Sequence, residues 1–367
     1  MQGKVLAALP AAGVYYLPGG QIDNGYEDHG ETGMRIFVVE YITGGGLPAG
    51  KPDSGFLQEA EVMQEALLGD LMEIAGIELL VSRDPRLTAL KGDFSVFEPR
   101  PDRDIWTQWG DCIAQCDAVW PIMPEGGGLL ARISTMTVTL GRRLIGCSPT
   151  AVAVAASKYR TFGLLERAGI DVVPTWRADG RIPCLPGAWV LKPDDGAGCE
   201  GIRVFDSHAA MGCALPDLER PADCIAQPFV EGEAASLSLI CCDRHAHLLS
   251  VNLQQVVREG AGLRLDGLFV NARPRAGSGC TDLAQAVAEA MPGLWGYVGV
   301  DILLTGRGPV VLEINPRLTV SYAGLYSALG VNPAEIVVRL LGGGGLPARG
   351  YAGFNSVNIA LEVPCVA

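Results

Sequence analysis

Two runs of apolar, β-branched and aromatic residues flank a glycine-rich loop near the middle of the chain: AWVLK (188–192), then PDDGAGCEG (193–201), then IRVF (202–205). The loop contains a G-x-G-x-x-G spacing at Gly196, Gly198 and Gly201. In a dinucleotide fingerprint such glycines lead from a strand into a helix. Here they lead into a second strand, so the segment reads as a hairpin with a glycine tip. Glycines at a hairpin tip let backbone N–H groups close over an anion; a plain structural turn is the other reading. Lys192 ends the otherwise apolar first strand. A lysine there either reaches out to solvent or is aimed at an anion, and the adjoining tip favours the anion.

The pattern differs on either side of residue 148. Residues 34–42, 77–81, 118–123 and 143–147 read as strands, and 56–75 and 106–116 have helical spacing. That alternation predicts a parallel α/β domain over 34–148. A long helix is expected over 149–168, closed by Gly169. Beyond it strands dominate, at 188–192, 201–205, 224–227, 235–242, 248–255, 297–304 and 310–314, with helices at about 281–291 and 333–341. The expected fold class is α/β plus α+β, with boundaries at 34–148, 149–230 and 231–367. Residues 1–33 read as an N-terminal extension, possibly from an upstream start codon: VLAALPAAGVYYLPGG after Lys4 has a faint leader character, broken by Pro10 and Pro18.

Three further stretches fit an anionic ligand. SKYRTFGLLERAGIDVVPT (157–175) carries Lys158 in a helix before a strand entry. IAQPFVEGE (225–233) is a strand entering a loop. The backbone at Phe229 and Val230 is suited to a base edge, and Glu233 to sugar hydroxyls; alone, the segment reads equally as a solvated loop. VDILLTGRGPVVLEINPR (300–317) is the most informative. Asp301 lies on one strand, Glu313 and Asn315 on the next, with a turn at 306–308. Glu313 and Asn315 are two apart and share a face. The hairpin brings Asp301 beside them, a hard-oxygen set suited to Mg²⁺ held jointly with phosphates. A merely polar sheet face is the alternative, but apolar neighbours make idle carboxylates costly there.

Composition narrows the partners. A net charge of −13 repels phosphate backbones and anionic lipid on average. The expectation is therefore no nucleic acid, no membrane and a cytoplasmic setting. No apolar run reaches the roughly 20 residues of a membrane span. Eleven scattered cysteines, an odd number without repeated C-x-x-C pairs, read as core residues rather than a disulfide framework. His245 and His247 read as a structural pair before a metal pair.

Taken in order, these pieces resemble the ATP-grasp superfamily over about residues 148–341, with a pre-grasp α/β domain ahead of them. The resemblance implies an ATP clasped between two α+β subdomains. It gives Lys158 and Lys192 the place of two phosphate lysines and Gly196–Gly201 that of the phosphate lid. Gln227, Phe229 and Val230 take the adenine hinge and Glu233 the ribose carboxylate. Asp301, Glu313 and Asn315 take the magnesium ligands, for two Mg²⁺ with Mn²⁺ as a substitute. Arg317, in E-x-N-P-R, takes the place of the arginine that steadies the transferred phosphoryl group. There are departures. The loop that carries a third lysine in many relatives reads NLQQVVREGAGLRLDGLF, leaving Arg258, Arg264 or neither. Cys199 and Glu200 replace small lid residues, and Gly299 stands where a family arginine precedes the first metal Asp.

MRIFVVEYITGGG, LLSVNLQQ and EINPRLTVSYAGL are similar to the tyramine–glutamate ligase branch, which serves methanofuran biosynthesis. The implied reaction phosphorylates a carboxylate and passes the acyl group to an amine, releasing ADP and phosphate. It needs no protein nucleophile, which fits the lack of a Ser–His–Asp or Cys–His set. The expected partners are a small amino acid and an amine; a homodimer is left open. Glu40, ending the first strand beside GGG, is placed to grip a substrate amine and is equally well placed as a buried structural carboxylate. A D-alanine–D-alanine type ligase, a nucleotide-binding protein without catalysis and an NAD oxidoreductase are the rival readings.

Overall fold

Four apolar residues in a row, Ile36–Val39, form the centre of the first sheet. The structure, a computed structural model, describes residues 33–47, 54–196, 198–199, 201–273, 278–348 and 355–361. The N-terminal-extension reading falls on residues outside these. The first sheet comprises β1 (Met34–Glu40), β2 (Ile77–Ser82), β3 (Ser95–Phe97), β4 (Ala118–Ile122) and β5 (Arg143–Leu144), in the order β3-β2-β1-β4-β5. Every pairing is parallel. Helices cover both faces, which is why β1 is a continuous apolar run. Ile36 and Val38 pack with Leu67 and Leu71 of α1 (Ser54–Met72). Phe37 and Val39 point the other way, to Trp109 and Ile113 of α2 (Ile105–Ala114) and Ile133 of α3 (Leu129–Thr139).

The single helix expected over 149–168 is two: α4 (Pro149–Ala155) and α5 (Lys158–Arg167). The break has a local cause. Ser157 leaves helical geometry and accepts the Arg160 N–H as an N-cap. This sets Lys158 at the start of a new helix.

Next come β6 (Trp176–Arg177), β7 (Trp189–Pro193), β8 (Arg203–Phe205) and β9 (Cys224–Pro228), an antiparallel sheet in the order β6-β9-β7-β8, with α6 (His208–Ala214) packed on it. β7 and β8 are the arms of the expected glycine-tipped hairpin. The third sheet is also antiparallel. It is built from β10 (Glu233–Cys242), β11 (His245–Glu259), β12 (Gly262–Val270), β13 (Gly296–Thr305), β14 (Gly308–Asn315) and β15 (Val357–Ala360), in the order β14-β13-β10-β11-β12-β15. α7 (Ser278–Ala290) closes one face, where Leu283 and Val287 meet Leu237, Leu239 and Val251. The opposite face is polar, and there the candidate site lies. α8 (Leu325–Leu329) and α9 (Pro333–Leu341) follow β14. Beyond the strand expected to end at 255, the stretch to 269 that takes the place of a family loop is instead part of the β11–β12 hairpin, with a register shift between Gln255 and Val256. Its tip reaches the glycine hairpin, where the Val204 N–H donates to the Ala261 carbonyl at 2.7 Å. Among the described residues no helix is long and apolar enough to cross a membrane.

Candidate functional site

Antiparallel register decides which side chains meet. Asp301 of β13 pairs with Glu313 of β14 and, on its other side, with Ser236 of β10. The two carboxylates therefore share one face, as the spacing predicts. Asn315 donates from Nδ2 to Asp301 Oδ2 at 3.0 Å, and Gln254 of β11 from Nε2 to Asp301 Oδ1 at 3.0 Å. Burial, reinforced by the neighbouring Glu313 charge, pushes the Asp301 carboxyl up to about 7. Burial also acts on Glu313, but Lys158 and Lys192 outweigh it and hold that carboxyl low. Two carboxylates facing each other in a buried site repel each other, and their oxygens are hard donors. Both properties fit a divalent cation. Asn315 turns its amide nitrogen to Asp301; a half-turn of the amide brings its oxygen to the same point.

Both predicted lysines converge on this pair. Lys158 Nζ lies 3.2 Å from Glu313 Oε2 and donates to the Gly196 carbonyl at 2.7 Å. The helix break thus carries Lys158 to the lid and the carboxylates together. Lys192 is buried at the end of β7. Burial lowers its pKa and the Lys158 charge adds to this, against an opposing pull from Glu313 and Asp301. A buried ammonium beside another one is a poor structural choice and a good anion receptor. Gly198 and Gly201 have φ of +67° and +69°, where glycine is favoured. A Cβ on Gly201 would also stand 2.9 Å from the Pro193 ring.

A cavity of about 880 Å³ opens between the glycine hairpin, the third sheet and α1. Lys192, Gly198, Gln227, Phe229, Val230, Asp301, Glu313, Asn315 and Arg317 line it. Its size is near the top of the range for ligand pockets, about 300–1,000 Å³. Gln227 is buried and donates to Thr175 Oγ1 at 2.8 Å. The Phe229 N–H is engaged by the Ala188 carbonyl at 2.8 Å, and the Phe229 side chain is exposed. Glu233 sits outside the lining at the start of β10, half exposed, and accepts from Arg273 Nη2 at 2.8 Å. Glu40 is buried and also outside the lining. Its Oε2 accepts the Thr43 N–H at 2.5 Å, and burial pushes its carboxyl up to about 7. Arg258 and Arg264 line the cavity from the β11–β12 hairpin and carry carboxylate partners, Asp206 at 3.4 Å and Asp266 at 2.8 Å. Gly299 has a steric reason: a Cβ there would stand 2.7 Å from Thr319 Cγ2, so no larger residue fits.

Four residues of the site escaped sequence reasoning. Glu125, beyond the end of β4, holds Arg317 Nε at 3.0 Å. Its signal is a lone carboxylate between an apolar strand and GGG. Asp194, next in the chain to the Lys-Pro pair, accepts from Ser157 Oγ and from the Tyr159 N–H, both at 2.7 Å, and so ties β7 to the start of α5. Gln254 braces Asp301, and Glu59 of α1 lines the cavity. Gln254 lies in the quoted LLSVNLQQ stretch, where nothing singles it out, and Glu59 has no motif around it.

Comparison with known proteins agrees with this geometry. A family model described as an ATP-grasp domain matches residues 155–321, and one described as a pre ATP-grasp 3 domain matches residues 77–152. The tyramine–L-glutamate ligase of Methanocaldococcus fervens is 28% identical over 312 residues, covering 83% of this chain and 93% of that protein. The one from Methanocaldococcus jannaschii is 26% identical over 310 residues, covering 83% and 88%. Among solved structures, an ATP-grasp superfamily protein from Archaeoglobus fulgidus superposes with a TM-score of 0.64 at 23% identity, over 90% of this chain and all (100%) of that one. An L-amino acid ligase from Bacillus licheniformis gives 0.61 at 14% identity, over 84% and 74%. The family matches, the long relatives and the fold converge: the chain is an ATP-grasp protein, with a pre-ATP-grasp domain ahead of its ATP-grasp domain.

Proposed function

We propose that this ATP-dependent carboxylate–amine ligase joins L-glutamate to tyramine, making γ-glutamyl-tyramide for a cofactor of the methanofuran type. The observation that carries the reading is the single cavity gathering Lys192, Asp301, Glu313, Asn315 and Arg317, with Lys158 on its Glu313 wall. Similarity to two tyramine–L-glutamate ligases along most of their length supports the substrate pair.

Lys158 and Lys192 neutralise the nucleotide phosphates, and the backbone at Gly196, Gly198 and Gly201 closes over them. The base lies against Gln227, Phe229 and Val230. Glu233 reaches the ribose only by leaving Arg273. Asp301, Glu313 and Asn315 hold Mg²⁺, which when bound offsets the charge crowded between phosphate and carboxylate. Arg317, fixed by Glu125, faces the transferred phosphoryl group. The chain's part is positioning, charge and exclusion of water, with no covalent enzyme intermediate. Glu40 is assigned to the architecture of the first sheet, where its carboxylate satisfies the Thr43 N–H.

Turnover with ¹⁸O in the glutamate γ-carboxylate tests this. One labelled oxygen per turnover is expected in the released phosphate, with ADP as the nucleotide product and dependence on tyramine. Glu313→Gln is expected to make no ADP while retaining its fold by circular dichroism. Unlabelled phosphate, or AMP in place of ADP, rules out the acyl-phosphate route. Turnover with another amine and none with tyramine removes only the substrate assignment.

A further inference from the structure

The inward face of α1 carries Phe56, Ala60, Met63 and Leu67 at helical spacing, and Glu59 stands among them. The other carboxylates of this helix are accounted for. Glu61 is paired with Arg83 at 3.0 Å, Asp70 accepts from the Tyr322 hydroxyl at 2.7 Å, and Glu65 is exposed. Glu59 lines the cavity and, among the described residues, has no hydrogen bond or ion pair to hold it. Arg317 is the positive charge that acts on it. Glu59 is partly buried, so its carboxylate has lost part of its water and a ligand cation in the cavity would replace it.

The surroundings indicate which cation. Met63 of α1, Leu268 of β12, Val320 after β14 and Leu361 after β15 come from four parts of the chain into one apolar cluster and line the same cavity. Leu268 pairs with Gln254, and Gln254 holds Asp301, so this apolar end lies across the sheet from β14. Such a wall suits an aromatic ring. It offers nothing to the two carboxylates of glutamate.

We infer that Glu59 receives the ammonium group of the acceptor amine and takes its proton, while the aromatic ring of that amine lodges against Met63, Leu268, Val320 and Leu361. This rests on the amide-forming reading above. The ammonium gives one proton to the Glu59 carboxylate, and the freed nitrogen pair attacks the acyl carbon. The C–N bond forms as the C–O bond to phosphate breaks, with the electron pair leaving on phosphate. The second nitrogen proton departs with the phosphate, and Glu59 returns its own to water. Burial raises the Glu59 carboxyl, with Arg317 opposing, which favours proton acceptance.

The test is Glu59→Gln assayed in two ways with ATP and glutamate. Hydroxylamine, a small unprotonated nucleophile, traps the acyl phosphate without needing a base or an apolar wall. Glutamyl hydroxamate formation should match the wild type. Amide formation with tyramine should fall by about 100-fold or more in kcat/KM, the usual contribution of a positioned base. Glu59→Asp, which keeps the charge, should raise the KM for tyramine and leave hydroxamate formation unchanged; it carries the test if Glu59→Gln fails to fold. Equal loss of hydroxamate and amide in a folded variant overturns the inference, since it places Glu59 at the donor. Wild-type rates with tyramine also overturn it. If the wild-type protein itself makes hydroxamate but no tyramide, the proposed substrate pair fails and the aromatic subsite fails with it.

Discussion

Charges inside this protein are answered one residue at a time, and the two most perturbed carboxylates differ in kind. Asp301 faces a second carboxylate, Glu313, which two lysines hold ionised. Glu40 faces only its own loop. Burial raises the Glu40 carboxyl from 4.5 to about 7. The folded state therefore holds this proton more tightly than the unfolded chain does. The contribution to stability is full below about pH 4.5, declines as pH rises and is lost above about pH 7. A shift of that size corresponds to roughly 3 kcal/mol. Glu40→Gln keeps an oxygen for the Thr43 N–H and removes the titration. Its thermal midpoint should vary less than the wild type's between pH 5 and 7.5 and lie higher at pH 7.5. Parallel pH curves would show that Glu40 does not carry the slope, and a raised KM for either substrate would return it to the binding role open to it from sequence.

At the scale of elements, what was legible in the sequence followed from period and spacing. The parallel alternation before residue 148, the β7–β8 hairpin and the meeting of Asp301 with Glu313 all follow from side-chain periodicity and turn residues. What was not legible depended on contacts distant in sequence. The 149–168 stretch reads as one helix; the Ser157 cap that divides it is held in turn by Asp194, 37 residues away in sequence. Beyond the strand expected to end at 255, the hairpin carries charge and glycine in a pattern that reads as a loop, yet it continues as paired strands and β12 pairs onward with β15. Glu59 reaches the cavity, and Glu125 reaches Arg317 on its wall, because sheet and helix packing deliver them there.

Asp194 makes the element argument testable. It accepts from Ser157 Oγ and from the Tyr159 N–H, and its backbone carbonyl accepts the Lys158 N–H at 3.1 Å. Asp194→Ala removes the side-chain acceptors and leaves the Tyr159 N–H in the first turn of α5, and the Ser157 hydroxyl, without their partner. A loss of about 1–2 kcal/mol is expected, as for a missing helix cap. Because Lys158 begins that turn, nucleotide affinity should fall along with the thermal midpoint. Titration of ATP by calorimetry checks this. Reduced stability with unchanged affinity would show that Lys158 finds its place without the cap.

For the whole molecule, a net charge of −13 surrounds a cavity that gathers Lys192, Arg258, Arg264 and Arg317, with Lys158 beside it. The protein binds an anion by local concentration of cations against its own average field. Without that anion the cations need internal partners. Glu313 serves Lys158, and Glu125, from the end of the first sheet, serves Arg317. The Arg317–Glu125 contact joins the parallel sheet to the end of β14 through one largely buried ion pair. Removing one member of such a pair leaves the other charged and unanswered, at up to about 3–5 kcal/mol. Glu125→Gln should accordingly lower the thermal midpoint of the ligand-free protein. Arg317 would then be free to meet a phosphoryl group, so MgATP should raise the variant's midpoint by more than it raises the wild type's. Thermal scans with and without MgATP decide the point. An equal rise in both proteins would mean that Arg317 does not exchange Glu125 for phosphate, and would leave the pair as a purely structural tie between the layers.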